Sequence, residues 1–430
     1  MPPNESNTRP RPKAHNDHNV YILGAGFAAE AGLPLIKDFM NRMRDAAAWL
    51  EEQKGREREI RAIENVLDFR LRAAAAAYRV PLDVENVEDL FSLASASARE
   101  TLAEDMALAI AATLDFAHHD HAQREATRLR EYRFYQVGVL DLSKWTKPAN
   151  WEPPLRHIEE SLKGGQIKGE WYSCPPYEFY AGIMGGYFNR PADDRRDTII
   201  TFNYDLTIET ALRALKVTFS YGLKGEQVAF GSGSSDISSE QLAEEGTTRV
   251  LKLHGSVNWA IPGGTGLKLT FYGSYDDIRE RGLTPALAPP TWRKDFDGQL
   301  SDVWEIAVRS LQTATRIVIL GYSIPQTDLH FKYLLGAGLQ ENISLRKVLF
   351  VNPDLRQPDE ADQLKARLFG VLGEHHFRRG LIEFVPEKTS EFFHGPKDTT
   401  RHPLYRESIG RPLPALYTAS TPYMTFPPYF

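Results

Sequence analysis

The sequence is poor in cysteine, in long apolar runs and in any surplus of basic charge. Its single cysteine, Cys174, excludes an intrachain disulfide framework and cannot build a cysteine-rich zinc site, which points to a reducing, cytoplasmic setting. No stretch approaches the roughly 18 consecutive apolar residues of a membrane span. Residues 1–18, polar and proline-rich, read as a flexible N-terminal arm rather than a signal peptide or anchor. With 51 Lys and Arg against 57 Asp and Glu the net charge is −6, so no general basic field draws the chain to nucleic acid or anionic membrane. The stretch His118-His119-Asp120-His121 lacks metal-ligand spacing, because neighbours on a helix point in different directions, and no metal site is expected.

What is present is the composition of an ordinary soluble globular protein, and 430 residues suffice for two or three structural units. Short β-branched runs recur at Val20–Leu23, Thr198–Phe202, Val217–Phe219, Arg249–Leu253, Arg316–Leu320, Lys347–Val351 and Ile382–Val385, several of them followed by helical patterns. This alternation predicts an α/β fold with a doubly wound, mostly parallel sheet and helices on both faces. Residues 35–196, rich in Ala, Leu, Glu and Arg with apolar residues at helical spacing, read as a large inserted helical module in which the Ala run 73–77 packs closely on a neighbour. The expected division is therefore an arm at 1–18, an α/β domain at 19–34 and 197–390, the module at 35–196, and a Pro- and aromatic-rich C-terminal arm at 391–430. That last arm is expected to pack on this subunit or a neighbour, given the cost of exposing so much apolar area. Residues 140–176 read as an ordered loop and 231–247 as a flexible surface insertion.

The first strand runs into GAGFAAEAGLP, residues 24–34. Gly24 and Gly26 permit a tight turn and close approach of backbone N–H groups to an anion, and a helix start there would add its dipole. Alone, such a turn fits a phosphate loop or a plain strand-to-helix link equally well. The usual dinucleotide fold places a second strand, ending in an acid, about 20 residues on. Here Asp45 lies in the helix-like NRMRDAAAWL, so an ordinary NAD-dependent dehydrogenase is not expected.

Four more stretches end apolar runs in polar residues, as loops at the carboxyl ends of a parallel sheet do: TFNYD (201–205), LHGS (253–256), LGYSIPQTD (320–328) and FVNPD (350–354). Each also has a plain structural reading. Asn203 and Asp205 would cap a helix beginning near Leu206, His254 would be a hydrogen-bonded structural histidine, and Gly321 to Ser323 and Asn352 to Asp354 would be turns.

Taken in chain order, GAG with AGLP, TxNxD, HG, GxS and a late VN resemble the sirtuin family over about 18–30 and 197–386. More narrowly, NYD, KLHGS and GYS with a following Asp look like the sirtuin-like NAD-consuming effectors of bacterial antiviral defence, closest in layout to the sirtuin-like partner of HerA-type ATPases. The resemblance implies a Rossmann-like sirtuin-type fold, NAD+ as substrate, and an NAD+ glycohydrolase releasing nicotinamide and ADP-ribose as an abortive-infection effector. It places Gly24, Ala25 and Gly26 at the pyrophosphate, counts Phe27 among the cofactor-binding residues, and sets Asn203 beside the attacking water or ribose. Asp205 would then face the nicotinamide amide, His254 would be the general base, and Gly321, Ser323 and Asn352 would hold the adenosine half. The chemistry suits these types: an imidazole removes protons near neutral pH, and a carboxamide holds water without competing as a base.

The chain also departs from the pattern. The four-cysteine zinc module usual after the HG motif cannot form, so no zinc is expected; Ala28 stands where a serine is common, and the DFR that normally follows the loop is absent, Lys37-Asp38-Phe39 being nearest. An NAD-dependent protein deacylase, or an NAD- or ADP-ribose-binding subunit of a larger defence complex, are the alternatives. Since an unchecked NAD consumer would poison its host, the resemblance implies control by assembly, as a homo-oligomer with a HerA-type ATPase or, second, a short Argonaute as partner.

Overall fold

A computed structural model of the protein describes residues 18–77, 79, 83–97, 100–136, 175–186, 197–215, 217–222, 228–229, 247–262, 269–288, 299–325, 329–374 and 379–394. The strands are β1 (Asn19–Leu23), β2 (Thr198–Thr201), β3 (Phe219–Ser220), β4 (Val228–Ala229), β5 (Thr248–Lys252), β6 (Gly255–Ala260), β7 (Thr270–Tyr272), β8 (Pro285–Leu287), β9 (Arg316–Leu320), β10 (Lys347–Val351) and β11 (Ile382–Val385). The helices are α1 (Ile36–Glu51), α2 (Glu57–Ala77), α3 (Val87–Ala96), α4 (Glu100–Gln136), α5 (Pro175–Met184), α6 (Thr207–Ala214), α7 (Tyr275–Glu280), α8 (Gln299–Gln312), α9 (Leu329–Leu339), α10 (Pro358–Leu372) and α11 (Thr389–His394).

β1, β2, β9 and most of β10 are buried along their length, as apolar strands covered on both faces must be. They form the centre of a seven-stranded sheet, ordered β11-β10-β9-β1-β2-β5-β3, in which every pairing is parallel. The fold is thus α/β with a doubly wound, Rossmann-like sheet. Its register matters for the site: Leu23 lies opposite Thr201 and Leu320, Leu320 opposite Val351, and Thr201 opposite Lys252. Five strands therefore end level, and the loops that follow them share one rim.

A second, four-stranded sheet, ordered β4-β7-β6-β8, was not evident from sequence. Its central strand β6 starts at the glycine of the HG motif and pairs antiparallel with β7 and β8.

The helical module is present. α1 to α4 enclose an apolar core that includes Met40, Met43, Leu50, Ile63, Val66, Phe91 and Ile110, and the small buried Ala109, Ala112 and Ala117 let the axes approach. Of the alanine run, Ala73 is buried while Ala74 and Ala75 face solvent. Asn86 caps α3, its Oδ1 accepting from the Glu88 and Asp89 N–H groups at 2.9 and 3.4 Å. The same core takes in Ala28, Leu206, Val257, Tyr275 and Leu287 from the sheet loops, so the module is packed directly onto the site-bearing end.

Three boundaries differ from the sequence division. α5, assigned by composition to the module, packs on the large sheet through Tyr177, Tyr180 and Ile183. His18 is not part of an arm: it is buried, its N–H donates to Thr315 Oγ1 at 3.0 Å and its Nε2 lies 3.1 Å from Thr198 Oγ1. At the other end Phe392 and Phe393 of α11 are core residues, with Phe393 stacked on Tyr180 at 4.7 Å. The predicted strand at 217–219 occupies Phe219–Ser220 instead. Residues 1–17 and 395–430, nearly all of the 140–176 and 231–247 stretches, and Cys174 lie outside the described residues. Among the described residues no helix is long and apolar enough to cross a membrane.

Candidate functional site

The loops after β1, β2, β5, β9 and β10 surround a cleft of about 1000 Å³, lined among others by Gly24, Ala25, Gly26, Phe202, Asn203, His254, Gly321, Ser323 and Asn352. Such a volume is at the upper end of small-molecule sites, roughly 300–1,000 Å³.

The glycines of the first loop serve backbone crossing. Gly24 donates its N–H to Leu320 O at 3.0 Å, and Gly26 donates to Gly321 O at 2.8 Å. A Cβ on Gly24 would lie 2.6 Å from Tyr322 Cα, and one on Gly321, whose φ is +60°, would lie 2.2 Å from the Phe27 nitrogen. The two loops lie backbone against backbone, and only glycine fits there. The N–H groups of Gly24 and Gly26 are thus both bonded to the end of β9 and its loop, and the tight turn is the part these two glycines play here. No long helix starts at residue 25. Two single 3₁₀ turns, Ala25–Phe27 and Ala29–Ala31, come first, and it is the start of α1, with Ile36 and Lys37, that reaches the cleft. Phe27, expected among the cofactor-binding residues, is a core residue. Its ring meets Tyr177 edge-on at 5.2 Å, its carbonyl accepts the Tyr177 hydroxyl at 2.5 Å, and it does not line the cleft.

Asn203 follows β2 and is held at two points. Its N–H donates to Thr201 Oγ1 at 3.0 Å, and its Nδ2 donates to Gly24 O at 3.0 Å. The second bond sets the orientation of the carboxamide and leaves Oδ1 as its acceptor. Asp205 does what a cap would do, its Oδ1 accepting from Thr207 N–H at 2.9 Å at the start of α6. It lines not the main cleft but a side chamber of about 70 Å³, which it shares with Asn203, Glu88 and the apolar Phe39, Phe91 and Leu114.

His254 follows β5 and is buried, its ring edge-on to Phe202 at 5.2 Å. Its carbonyl accepts from Ala288 N–H at 2.8 Å, beside β8. The next residue needs to be glycine: Gly255 has φ +81°, and a Cβ there would sit 2.0 Å from Ala286 O. Phe202 is also stacked on Tyr322 at 5.2 Å, giving an aromatic floor between the β2 and β9 loops.

On the far side Asn352 ties two loops together, accepting from Asp354 N–H at 2.9 Å and donating from Nδ2 to Tyr322 O at 3.4 Å. Ser323 is exposed at the cleft, and its carbonyl accepts from Arg367 of α10 at 3.2 Å. Every sequence-derived site residue except Phe27 and Asp205 therefore lines one cleft, and Asp205 lines its side chamber.

Sequence reasoning missed the charged rim. Lys37, Arg367 and Lys388 bring cations to the cleft, and Glu30, Asp83, Glu85, Glu88, Asp354 and Glu387 bring acids. Burial, with Glu391 adding repulsion, holds the Glu387 carboxyl above its ordinary range. Glu30 accepts from both Ser390 Oγ (2.6 Å) and Ser390 N–H (3.0 Å), closing the first loop against α11. Phe202, Tyr322 and, just past the first loop, Lys37 sit in or beside quoted motifs and were available to inspection; Arg367, in α10, and Lys388, in the loop before α11, carried no local signal.

The histidine-rich stretch of α4 is dispersed as helix geometry requires. His119 lies against Trp49 at 5.2 Å, and Asp120 pairs with Arg42 at 2.7 Å and Arg124 at 2.8 Å. Among the described residues no three His, Cys, Asp or Glu side chains converge as a metal cluster would.

Residues 197–371 match the family model for a SIR2-like domain. The SIR2-like stretch carries Asn203, His254, Ser323 and Asn352; β1 with its glycine loop lies outside it, ahead of the helical module. No curated protein sequence matches the chain. Among solved structures, a Sir2 homologue mutant in complex with 2′-O-acetyl ADP-ribose aligns at 13% identity and TM-score 0.34, covering 93% of this chain and 96% of its own. Sir2Tm bound to a propionylated peptide aligns at 12% identity and TM-score 0.30, covering 88% and 91%. A structure addressing sirtuin substrate affinity aligns at 12% identity and TM-score 0.33, covering 88% and 92%.

Proposed function

We propose that the cleft binds NAD+ and hydrolyses its N-glycosidic bond, consuming water and yielding nicotinamide, ADP-ribose and a proton. The observation that carries this reading is the meeting of Asn203 and His254, from different strand ends, in one hollow with the β1 glycine loop inside a chain that carries the SIR2-like match. Nicotinamide leaves a cationic pyridinium as a neutral group, so little acid catalysis is needed, and positive charge grows on the ribose. What the protein must supply is position and a proton acceptor.

Asn203 Oδ1, oriented by the bond from Nδ2 to Gly24 O, holds the water or the ribose hydroxyl. His254, walled by Phe202, takes the proton. The rim cations Lys37, Arg367 and Lys388 offset the phosphate charge. The side chamber, apolar except at Asn203, Tyr204, Asp205 and Glu88, suits a flat ring bearing one amide. In this reading the protein acts in abortive infection and is held in check by assembly, as a homo-oligomer with a HerA-type ATPase or, second, a short Argonaute.

The test is release of nicotinamide from NAD+ by the full chain, alone and with its neighbouring gene product. Turnover that disappears in Asn203→Ala and His254→Ala supports the reading. Intact NAD+ in every state overturns it, and turnover that strictly requires an acylated peptide replaces it with deacylation.

A further inference from the structure

Two residues before His254 in β5, Lys252 is completely buried, and the chemistry of the cleft gives it no direct part. Its Nζ donates to two partners: the Asp205 carbonyl, in the loop that carries Asn203, and Glu209 Oε1 at 2.9 Å, in the first turn of α6. Glu209 is itself buried, and its Oε1 also accepts from the Tyr221 hydroxyl at 3.4 Å. Asn258 of β6 donates to that hydroxyl at 3.3 Å and to Tyr272 O at 2.8 Å, extending the chain of bonds into the small sheet.

Taking an ammonium and a carboxylate fully out of water costs several kcal/mol each, and well-packed apolar residues of similar volume often serve stability as well or better. An ion pair kept at such a place therefore calls for a task other than stability. Here the geometry offers one. Backbone bonds already tie the His254 segment to the Asn203 loop at Thr201 and Tyr204, and the Lys252 ammonium adds a side-chain link farther on, at the Asp205 carbonyl, while the Asp205 carboxylate is turned to Thr207 N–H. Thr201 lies opposite Lys252 in the sheet, so the ammonium starts level with the end of β2 and grips the far end of the loop, just before α6.

We propose that Lys252, neutralised by Glu209, is a positioning residue that sets Asn203 relative to His254 by holding the Asp205 carbonyl. This rests on the NAD+ hydrolysis reading for its kinetic consequence and on geometry alone for the anchoring. The test uses the full chain with the paired replacement Lys252→Met and Glu209→Leu, which removes both charges together, and with Lys252→Arg as the conservative variant. Amide hydrogen exchange at Asn203 and Thr207, both bonded within the loop, is measured beside denaturant stability and the kinetics of nicotinamide release.

The expected result is a paired variant as stable as wild type in which these two amides exchange at least tenfold faster, KM for NAD+ changes less than threefold, and kcat falls at least tenfold, with partial recovery in Lys252→Arg. Unchanged exchange in a stable paired variant overturns the anchoring, whether or not the wild type turns NAD+ over. Faster exchange with kcat intact in an active enzyme overturns the positioning role. Faster exchange in a protein whose wild type never consumes NAD+ leaves the anchoring standing and removes the hydrolysis reading. Should the paired variant not fold, the same exchange measurement on Lys252→Met with Glu209→Gln, which keeps an acceptor for the Tyr221 hydroxyl, decides, wild-type protection at both amides overturning the proposal.

Discussion

Asn203 and His254 are secured by different means, and this sets what their removal does. Asn203 is hydrogen-bonded across to the β1 loop, whereas the His254 ring rests on Phe202 and its carbonyl is tied to Ala288. Replacing either by Ala is expected to lower kcat by about 10²–10⁴-fold, the range of positioned proton-transfer groups, with NAD+ affinity largely kept; single-turnover kinetics and equilibrium titration separate the two. Glycines make a sharper test. Gly321→Ala meets both a left-handed backbone and the Phe27 nitrogen, and is expected to cost about 1–3 kcal/mol or more and to distort the cleft. Gly336→Ala, inside α9 with open space around it, is expected to gain about 0.5–1 kcal/mol. Urea unfolding of the two variants reads the contrast. At this scale the residue types were legible in the sequence, because motif glycines and a carboxamide after a strand are local patterns. What the glycines touch was not: Gly24 and Gly321 constrain each other from opposite parts of the chain, a contact that neither loop shows by itself.

Among the elements, α4 carries two groups that titrate in opposite senses. Burial, with His121 and His119 adding, lowers half-buried His118 from 6.5 to about 3. Its contribution to stability is present above pH 6.5 and lost as pH falls toward 3. His118→Asn is therefore expected to flatten the decline in stability over that acid window. Asp115, raised to about 6 by burial and by Asp276, with Arg56 opposing, has the reverse sign. Its contribution is complete below pH 3.8 and lost as pH rises through 6, so Asp115→Asn is expected to be favoured relative to wild type increasingly across that interval. Denaturant melts at several pH values check both. The large sheet was legible because doubly covered parallel strands read as β-branched runs. The small sheet was not, because β4 is two residues long, β7 and β8 are three each, and β6 is concealed behind the HG motif. α5 was misassigned because helix propensity says nothing about which core a helix will join.

For the molecule as a whole, the joint between the helical module and the small sheet is a buried charge cluster. Arg56 bonds Asp115 at 2.7 Å, Glu59 at 3.1 Å and Asp276 at 3.4 Å, and its guanidinium lies 5.7 Å from the Trp49 ring centre. Arg56→Met leaves three acids without their shared cation and is expected to cost about 3–5 kcal/mol. Loss of coupling between the module and the SIR2-like part, seen as a thermal transition split in two, would mark its role as the joint. The order of the central strands has one more consequence. β1 is synthesised early, yet one of its two neighbours, β9, and the glycine against which its loop is seated belong to the last third of the chain. A ribosome-bound intermediate that ends before residue 320 lacks the strand and the glycine on which the first loop is seated, so the cleft cannot close around a ligand until β9 and its loop have emerged.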